Sequence, residues 1–534
     1  PPPFFFNDTA TTEIYTLSLH ALFRSTKRRE KNSMKMKKIL ALTGAAAMAL
    51  TSLPVTGITA SADDLEEIVF ATPLTKTVDM TQIETELNKI TEEKIGVHVK
   101  IEGINLANYT NQIGLMMSGG EQLDAFGYLG SYSGMLAKNQ FLKLDDYLDE
   151  YGSGIKEVLG EEFLKACTNQ GSVYALPNNN GKASAISIVL RKDFIDELDL
   201  PVDQLKQAEN FDEYCANLDL LTEMFEKIKE THPDYACLVP FTTNPNLILY
   251  TNAIPFSDNL DDNNGVLMPE DDSAVVNMYA TDEFKKLCEY AYEWNQAGYV
   301  LEDATTTQET HLTYMQNNRT AGFFIKGEEG QAEQITTGTG VEVECIKILK
   351  PYIKTTDVNS IGFAISPTSE HPEAAMKFLN EMYTNPDVVN LLDWGIEGVH
   401  YEKQDDGTID FPEGVDANTT TYGLNMDWFF GNQFLSYIWG KGRDTTIYSR
   451  LEENNKNSEF SPVMGFSFDS TAVSSEVAAI TNVINQYLPG LSCGSLNPDT
   501  EMDAFLEALD DAGMQTVIEE KQKQLDAWKA ENQQ

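Results

Sequence analysis

From residue 66 to 130, short β-branched runs alternate with stretches of helical period. Ile68–Ala71 is a brief apolar run. Asp79 or Thr81 can cap a helix that continues to Glu93 and stops at Gly96. Val97–Ile101 alternates like a half-buried strand, Ala107–Ser118 returns to helical spacing, and Gly119-Gly120 ends it before a third strand at Leu123–Tyr128. Strands alternating with helices predict a parallel, doubly wound sheet. Ligands of such sheets bind beyond the carboxyl ends of the strands. That places Thr72-Pro73 and the stretch Tyr128-Leu129-Gly130-Ser131-Tyr132 at one mouth.

The pattern then breaks. Val173–Pro177 is extended, three asparagines follow (Asn178, Asn179, Asn180), and after Gly181 the run Ile186–Leu190 reads as a strand that leads into a second αβ region. That region holds an amphipathic helix over Phe211–Lys229, a polar loop at Thr242-Thr243-Asn244-Pro245 and a helix over Thr281–Ala297. A strand at Ala321–Ile325 opens into Lys326-Gly327-Glu328-Glu329-Gly330. Val343–Leu349 and Ile361–Ile365 read as strands returning to the first lobe, and Glu402–Phe411 as a hairpin turned at Asp406-Gly407. Helices are expected at Val473–Tyr487, Thr500–Asp511 and Met514–Lys529. The fold class is therefore α/β, with two lobes joined by hinge strands. Polar side chains beside such a hinge face the cleft.

The amino-terminal pattern is of another kind. Ile39–Leu53 is an apolar run behind Lys35, Lys37 and Lys38, broken by Pro54 and Gly57 and followed by Ala60-Ser61-Ala62. This is the layout of a secretory signal peptide over 34–62, starting at Met34 or Met36, with mature protein from Asp63. The run is too short and too rich in small residues to be a membrane span. Residues 1–33 read as an extension foreign to the fold, since Asn7–Ser25 looks like a translated sequencing adapter. The expected location is extracytoplasmic: secreted, on the cell surface or in a periplasm.

Charge narrows the partners. The chain carries 83 Asp+Glu against 38 Lys+Arg, a formal net charge of −45. Such a surface repels nucleic acid, anionic lipid and anionic ligands, and favours neutral or cationic ones. The charges are dispersed and 42% of residues are hydrophobic, so the chain is globular rather than a disordered acidic tail. Asp258–Asp272 is an acidic loop without the alternating oxygen ligands of an EF-hand. Cys167, Cys215, Cys237, Cys288, Cys345 and Cys493 show no C-x-x-C pair or zinc spacing; fifteen complete pairings are open, and buried free thiols are the preferred reading. There is no P-loop, nucleophile elbow or H-E-x-x-H, and the histidines are too scattered for a metal set. No cofactor, metal or catalytic residue is expected. His400 is the one histidine beside the expected cleft.

Aromatic residues near the expected cleft loops are the positive signal. Sugar rings offer an apolar face to aromatic rings and a rim of hydroxyls to amides and charges. The ligand-binding candidates are Thr72, Tyr128, Tyr132, Asn178, Asn179, Asn180, Asn244, Lys326, Trp394, Glu397, Tyr401 and Trp428.

Three phrases carry a family resemblance. The first runs from Tyr174-Ala175-Leu176-Pro177 through a polar loop to a strand ending Arg191-Lys192-Asp193. The second is Ile365–Tyr383, ISPTSEHPEAAMKFLNEMY, with Asn385-Pro386-Asp387. The third is Trp394-Gly395-Ile396-Glu397-Gly398-Val399-His400-Tyr401. Together they resemble family 1 extracellular solute-binding proteins, the capture subunits of ABC importers. The tail, Gly465–Asn532, resembles a C-terminal domain of unknown function found on a subset of them. The resemblance implies a type II, periplasmic-binding-protein-like fold. Lobe 1 would be 63–184 plus about 355–400, lobe 2 would be 185–354 plus about 401–464, and a helical region, 465–534, would pack on the lobes. It also implies a monomer that captures a small neutral solute, an oligosaccharide foremost, and delivers it to a transmembrane permease. The lipobox cysteine of many relatives has no counterpart before Cys167. The alternatives are a secreted carbohydrate-active enzyme and a sensor docking to a signalling receptor.

Overall fold

The computed structural model describes residues 65–532, apart from Thr77, Ser131, Ser184, 241–245, 248–253, Phe256 and Glu270. The signal-peptide stretch and Asn244 lie outside the described residues. Nine strands build two sheets: β1 (Glu66–Leu74), β2 (Val97–Asn105), β3 (Ala125–Leu129), β4 (Leu176–Pro177), β5 (Ala185–Arg191), β6 (Ala236–Leu238), β7 (Thr320–Gly327), β8 (Val343–Lys347) and β9 (Ile361–Ile365).

The first sheet has the order β2-β1-β3-β9-β4 and the second the order β8-β5-β7-β6. Neither is wholly parallel, which corrects the sequence-based expectation. β1 runs parallel to β2 and β3, but β9 lies antiparallel to β3 and to β4. The reason is connectivity: β9 re-enters the first lobe from the second instead of following a helix of its own lobe. In the second sheet β5 is antiparallel to β7 and β8, and only β6 runs parallel to β7. β8 pairs with β5, so Val343–Lys347 stays in the second lobe and Ile361–Ile365 alone returns.

Alternation along the strands sorts the core of the first lobe into two faces. Ile68 and Phe70 pack with Ile83, Leu87, Phe363 and Phe378 on one side. Phe126 and Tyr128 pack with Tyr109, Ile113 and Phe141 on the other. Tyr422, Leu424, Met426, Phe429 and Phe430 also lie in the first-lobe core, beside Phe363 and Met382. The boundary that assigns all of 401–464 to the second lobe is therefore wrong. The aromatic run Trp428-Phe429-Phe430 has no period that would tell strand from helix or lobe from lobe. Its place depends on a gap in β3: a Cβ on Gly127 would lie 2.2 Å from Phe429 Cζ. Gly127→Ala is expected to destabilise by about 1–3 kcal/mol through this overlap, read as a lower urea midpoint at unchanged slope.

The C-terminal helices Ser474–Ser492, Pro498–Asp511 and Met514–Asn532 are continuous with the second lobe. Ile480, Leu491, Phe505, Val517 and Leu525 are buried in one cluster with Leu221, Phe225, Phe284 and Trp294. The six cysteines are all unpaired.

Three segments cross between the lobes. The first is 178–184, leading into β5. The second is 348–360, which carries the helix Thr355–Asn359 and leads into β9. The third runs from Gly431 through the helix Ile447–Asn457 to the strand Glu459–Phe460, which pairs with Tyr352–Ile353 of the second.

Candidate functional site

The three asparagines act as a joint between crossings. Asn179 N donates to Gly431 O at 2.8 Å, Gln433 N donates to Asn179 O at 2.9 Å, and Asn179 Nδ2 donates to Asn432 Oδ1 at 3.0 Å. Asn178 Nδ2 donates to Trp428 O (3.1 Å) and to Phe429 O, and Asn180 Nδ2 to Trp428 O at 2.9 Å. Their amide N–H groups therefore fasten the third crossing. The side-chain oxygens of Asn178 and Asn180 are buried and have no hydrogen-bond partner among the described residues.

Beside this joint the end of β7 delivers charge. Lys326 Nζ lies 2.7 Å from Asp357 Oδ1, tying the second lobe to the second crossing. Burial would raise the Asp357 carboxyl, but Lys326 and Lys354 hold it below the ordinary carboxylate range. Glu329 is held by Lys347 (2.6 Å), Arg450 (3.3 Å) and Asn454 (3.1 Å). Glu328 differs. Its side chain is exposed to solvent, yet surrounding protein still raises its carboxyl, and Asp427 adds to the rise against Lys326, Lys182 and Lys347. The Glu328 carboxyl makes no hydrogen bond or ion pair with the described residues. Lys182, only 5% exposed, donates to Val358 O at 3.3 Å, and burial pushes its amine down to about 8.

The segment that leads into the third crossing lies beside these groups. Trp428 is half-buried and meets Phe429 edge-on at 5.9 Å. Asp427 next to it accepts from Tyr448 Oη (2.5 Å) and Gln433 Nε2 (3.0 Å). The seam thus presents one partly open indole, one exposed carboxyl with no side-chain partner among the described residues, and fixed charges of both signs. Among the described residues no group of three or more His, Cys, Asp or Glu could hold a metal ion.

Several residues singled out from sequence stand elsewhere. Tyr128 and Tyr132 are 2% exposed and packed on Phe141 at 5.3 and 5.5 Å; Tyr132 Oη donates to Cys167 O at 2.8 Å. Their rings belong to the lobe core: Tyr128 is on the inward face of β3, and Tyr132, at the start of the helix Tyr132–Ala137, packs into the same cluster. Thr72 is fully buried. Trp394 stacks on Trp439 at 5.1 Å and spends its indole N–H on Ser436 Oγ. Tyr401 packs near Tyr437 at 5.8 Å, and Glu397 pairs with Lys403 at 2.9 Å. Glu397 and Tyr401 line a recess of about 250 Å³ with Glu86, Ile90 and Asn390, away from the asparagines. His400 is buried and structural: its Nδ1 accepts from Ile396 N and its Nε2 meets Thr421 Oγ1. Asn178–Asn180, Lys326 and Trp428 are brought together at the seam. Lys182, Asp357, Asp427 and Tyr448 come from segments that share no local pattern. Glu328 stands in the strand-to-helix phrase Lys326–Gly330, which sequence marks as a mouth without choosing among its residues.

Comparison with known proteins agrees with this architecture. Residues 462–530 match the domain of unknown function DUF3502. A carbohydrate ABC transporter substrate-binding protein of Streptococcus pneumoniae serotype 4 is 25% identical over 464 residues, covering 84% of this chain and 88% of that protein. The crystal structure of an N-glycan transport solute binding protein from Streptococcus pneumoniae superposes with a TM-score of 0.71 at 22% identity, covering 88% of this chain and all of that one. An HMO-binding, ABC-transporter-associated solute-binding protein from Bifidobacterium longum infantis gives 0.61 at 17%, covering 87% and 99%. The chain has the two-lobed α/β fold of solute-binding proteins.

Proposed function

We propose that this protein is the extracytoplasmic solute-binding component of an ABC importer, that it captures an oligosaccharide in the recess between its lobes, and that it presents the sugar to a transmembrane permease. The observation that carries the reading is the composition of the seam. Trp428 offers a partly open aromatic face beside the asparagine joint, and Glu328 offers an exposed carboxyl at the end of β7 on which the neighbouring Asp427 acts. An aromatic face suits the apolar side of a sugar ring, and a carboxylate suits its hydroxyls. The relatives support the sugar class: one Streptococcus pneumoniae structure holds Man1GlcNAc and another holds Man5GlcNAc.

Ligand that touches both lobes favours closure, because equal affinity for open and closed forms shifts nothing. Trp428→Ala should weaken Man5GlcNAc binding by about 10-fold, the equivalent of one good aromatic contact. Glu328→Gln should weaken it by roughly 10- to 100-fold, since hydrogen bonds to a charged acceptor contribute ~1.5–3 kcal/mol. Calorimetric titration of both variants checks this; unchanged affinity in both would remove the recess from the site. The carboxyls of Glu328 and Asp427 in one recess are the feature a hydrolase would need. Mass spectrometry of the recovered sugar separates the two readings: intact ligand means capture, fragments mean turnover.

A further inference from the structure

The acidic loop 258–265 has no role in the seam chemistry, yet it is held with unusual care. Leu260 and Asp261 both adopt left-handed backbone conformations (φ 48° and 77°). For residues other than glycine that costs of the order of a kilocalorie or more each, and it persists only where the surroundings over-determine it. The surroundings here are the C-terminal domain. Lys521, fully buried on the helix Met514–Asn532, places its ammonium at the centre of the loop. The ammonium donates to Asp262 Oδ1 (2.7 Å), Asp262 O (3.3 Å) and Gly265 O (3.0 Å), and lies 4.9 Å from the centre of the Phe468 ring. Phe468 N and Ser467 Oγ donate to Asp261 Oδ2 at 2.5 and 3.1 Å. A Cβ on Gly265 would lie 2.8 Å from Val275 and 3.4 Å from Ile518, so loop and helix meet with no room to spare. Ser467, Phe468 and Lys521 all fall in the domain of unknown function.

The other side of the loop reaches the hinge. Thr356 Oγ1 donates to Asn259 Oδ1 at 3.3 Å, one residue from the Asp357 that pairs with Lys326. Asp261 also lies near enough to add to the effect of burial on the Tyr132 hydroxyl, at the carboxyl end of β3. The loop therefore stands between the C-terminal domain, the second crossing and the first lobe.

We infer that the C-terminal domain serves to hold the loop 258–265 against the hinge, with Lys521 as the positioning residue. Its ammonium supplies the positive charge around which the oxygens of the loop close. Part of the inference, that this posture matters for ligand, rests on the proposed function. The placement itself does not.

Hydrogen exchange on the full chain tests it, with Lys521→Met and Asp262→Asn as variants that remove opposite halves of the contact. In either, amides 258–267 should exchange at least ~10-fold faster than in the wild type while β5 and β7 keep their protection. Unchanged exchange in the loop, or an equal acceleration throughout the chain, would overturn the inference. If Lys521→Met does not fold, Asp262→Asn decides alone. A second reading uses Man5GlcNAc at a temperature well below melting, where the variants should bind about 10-fold more weakly than the wild type. Loop loosening with unaltered affinity would remove the link to ligand and leave the positioning role. Failure of the wild type to bind this sugar would count against the functional reading, and the exchange result would still decide the inference.

Discussion

Replacing Asn455 with alanine is expected to destabilise the protein by roughly 3–5 kcal/mol, more than any other amide substitution near the seam. The buried side chain of Asn455 closes three hydrogen bonds onto the first crossing. Its Oδ1 accepts from Lys182 N (2.8 Å) and Ala183 N (3.0 Å), and its Nδ2 donates to Asn180 O (2.7 Å). Those three backbone groups lie just before β5, where no strand partner can take over. Truncation leaves them unpaired at about 1–3 kcal/mol each, less whatever water entering the gap restores. The neighbouring Asn454 is the control. It is half-buried and donates once, to Glu329, so Asn454→Ala should cost under about 1 kcal/mol. Urea unfolding of both variants gives the comparison, and equal losses would show that Asn455 is not the clip described.

The second large effect has the opposite sign. Lys182→Met should stabilise the protein by up to ~3 kcal/mol at pH 7. Burial lowers the Lys182 amine from 10.5 to about 8, against partial support from Asp357, so the folded state holds this proton less tightly than the unfolded chain. The linkage follows directly. Below pH 8 both states are protonated and the full penalty of the buried charge is present. Between about 8 and 10.5 the folded state loses the proton first, and stability contributed by this group rises with pH. Above 10.5 the penalty is gone. Stability of the wild type measured from pH 7 to 10.5 should therefore carry a rising contribution that Lys182→Met lacks. A stability retained at less than its maximum points to a use for the charge. Lys182 lies among the groups acting on Glu328, so the stabilised variant should also bind ligand differently.

What could be read from the chain, and what could not, divides along physical lines. Val97–Ile101, Phe211–Lys229, Thr281–Ala297 and Ile361–Ile365 announce themselves because period and stop signals agree, and they fall inside the observed elements or within a residue or two of them. Strand direction did not, since the reversal of β9 depends on where the chain has been rather than on its own residues. The polar hinge phrase Asn178–Asn180 was visible as an interruption between two αβ regions. Its hydrogen-bond partners at 428–433 were not, because they lie some 250 residues away and have no pairing pattern. Tyr128 and Trp394 illustrate the commonest error: an aromatic near a strand end or a glycine-rich phrase suggests a ligand platform, while the fold uses its bulk to fill a core. Lys521 is the reverse case: the expected helix Met514–Lys529 is there, but its period does not mark this lysine as the fully buried one.

The most direct test of the account is calorimetric titration of residues 63–534 with Man5GlcNAc and a panel of other neutral oligosaccharides, followed by mass spectrometry of the recovered sugar. Saturable one-to-one binding to at least one oligosaccharide is expected, micromolar or tighter, weakened in Trp428→Ala and Glu328→Gln, with the ligand recovered intact. The absence of heat with every sugar, or the recovery of shortened fragments, would contradict it.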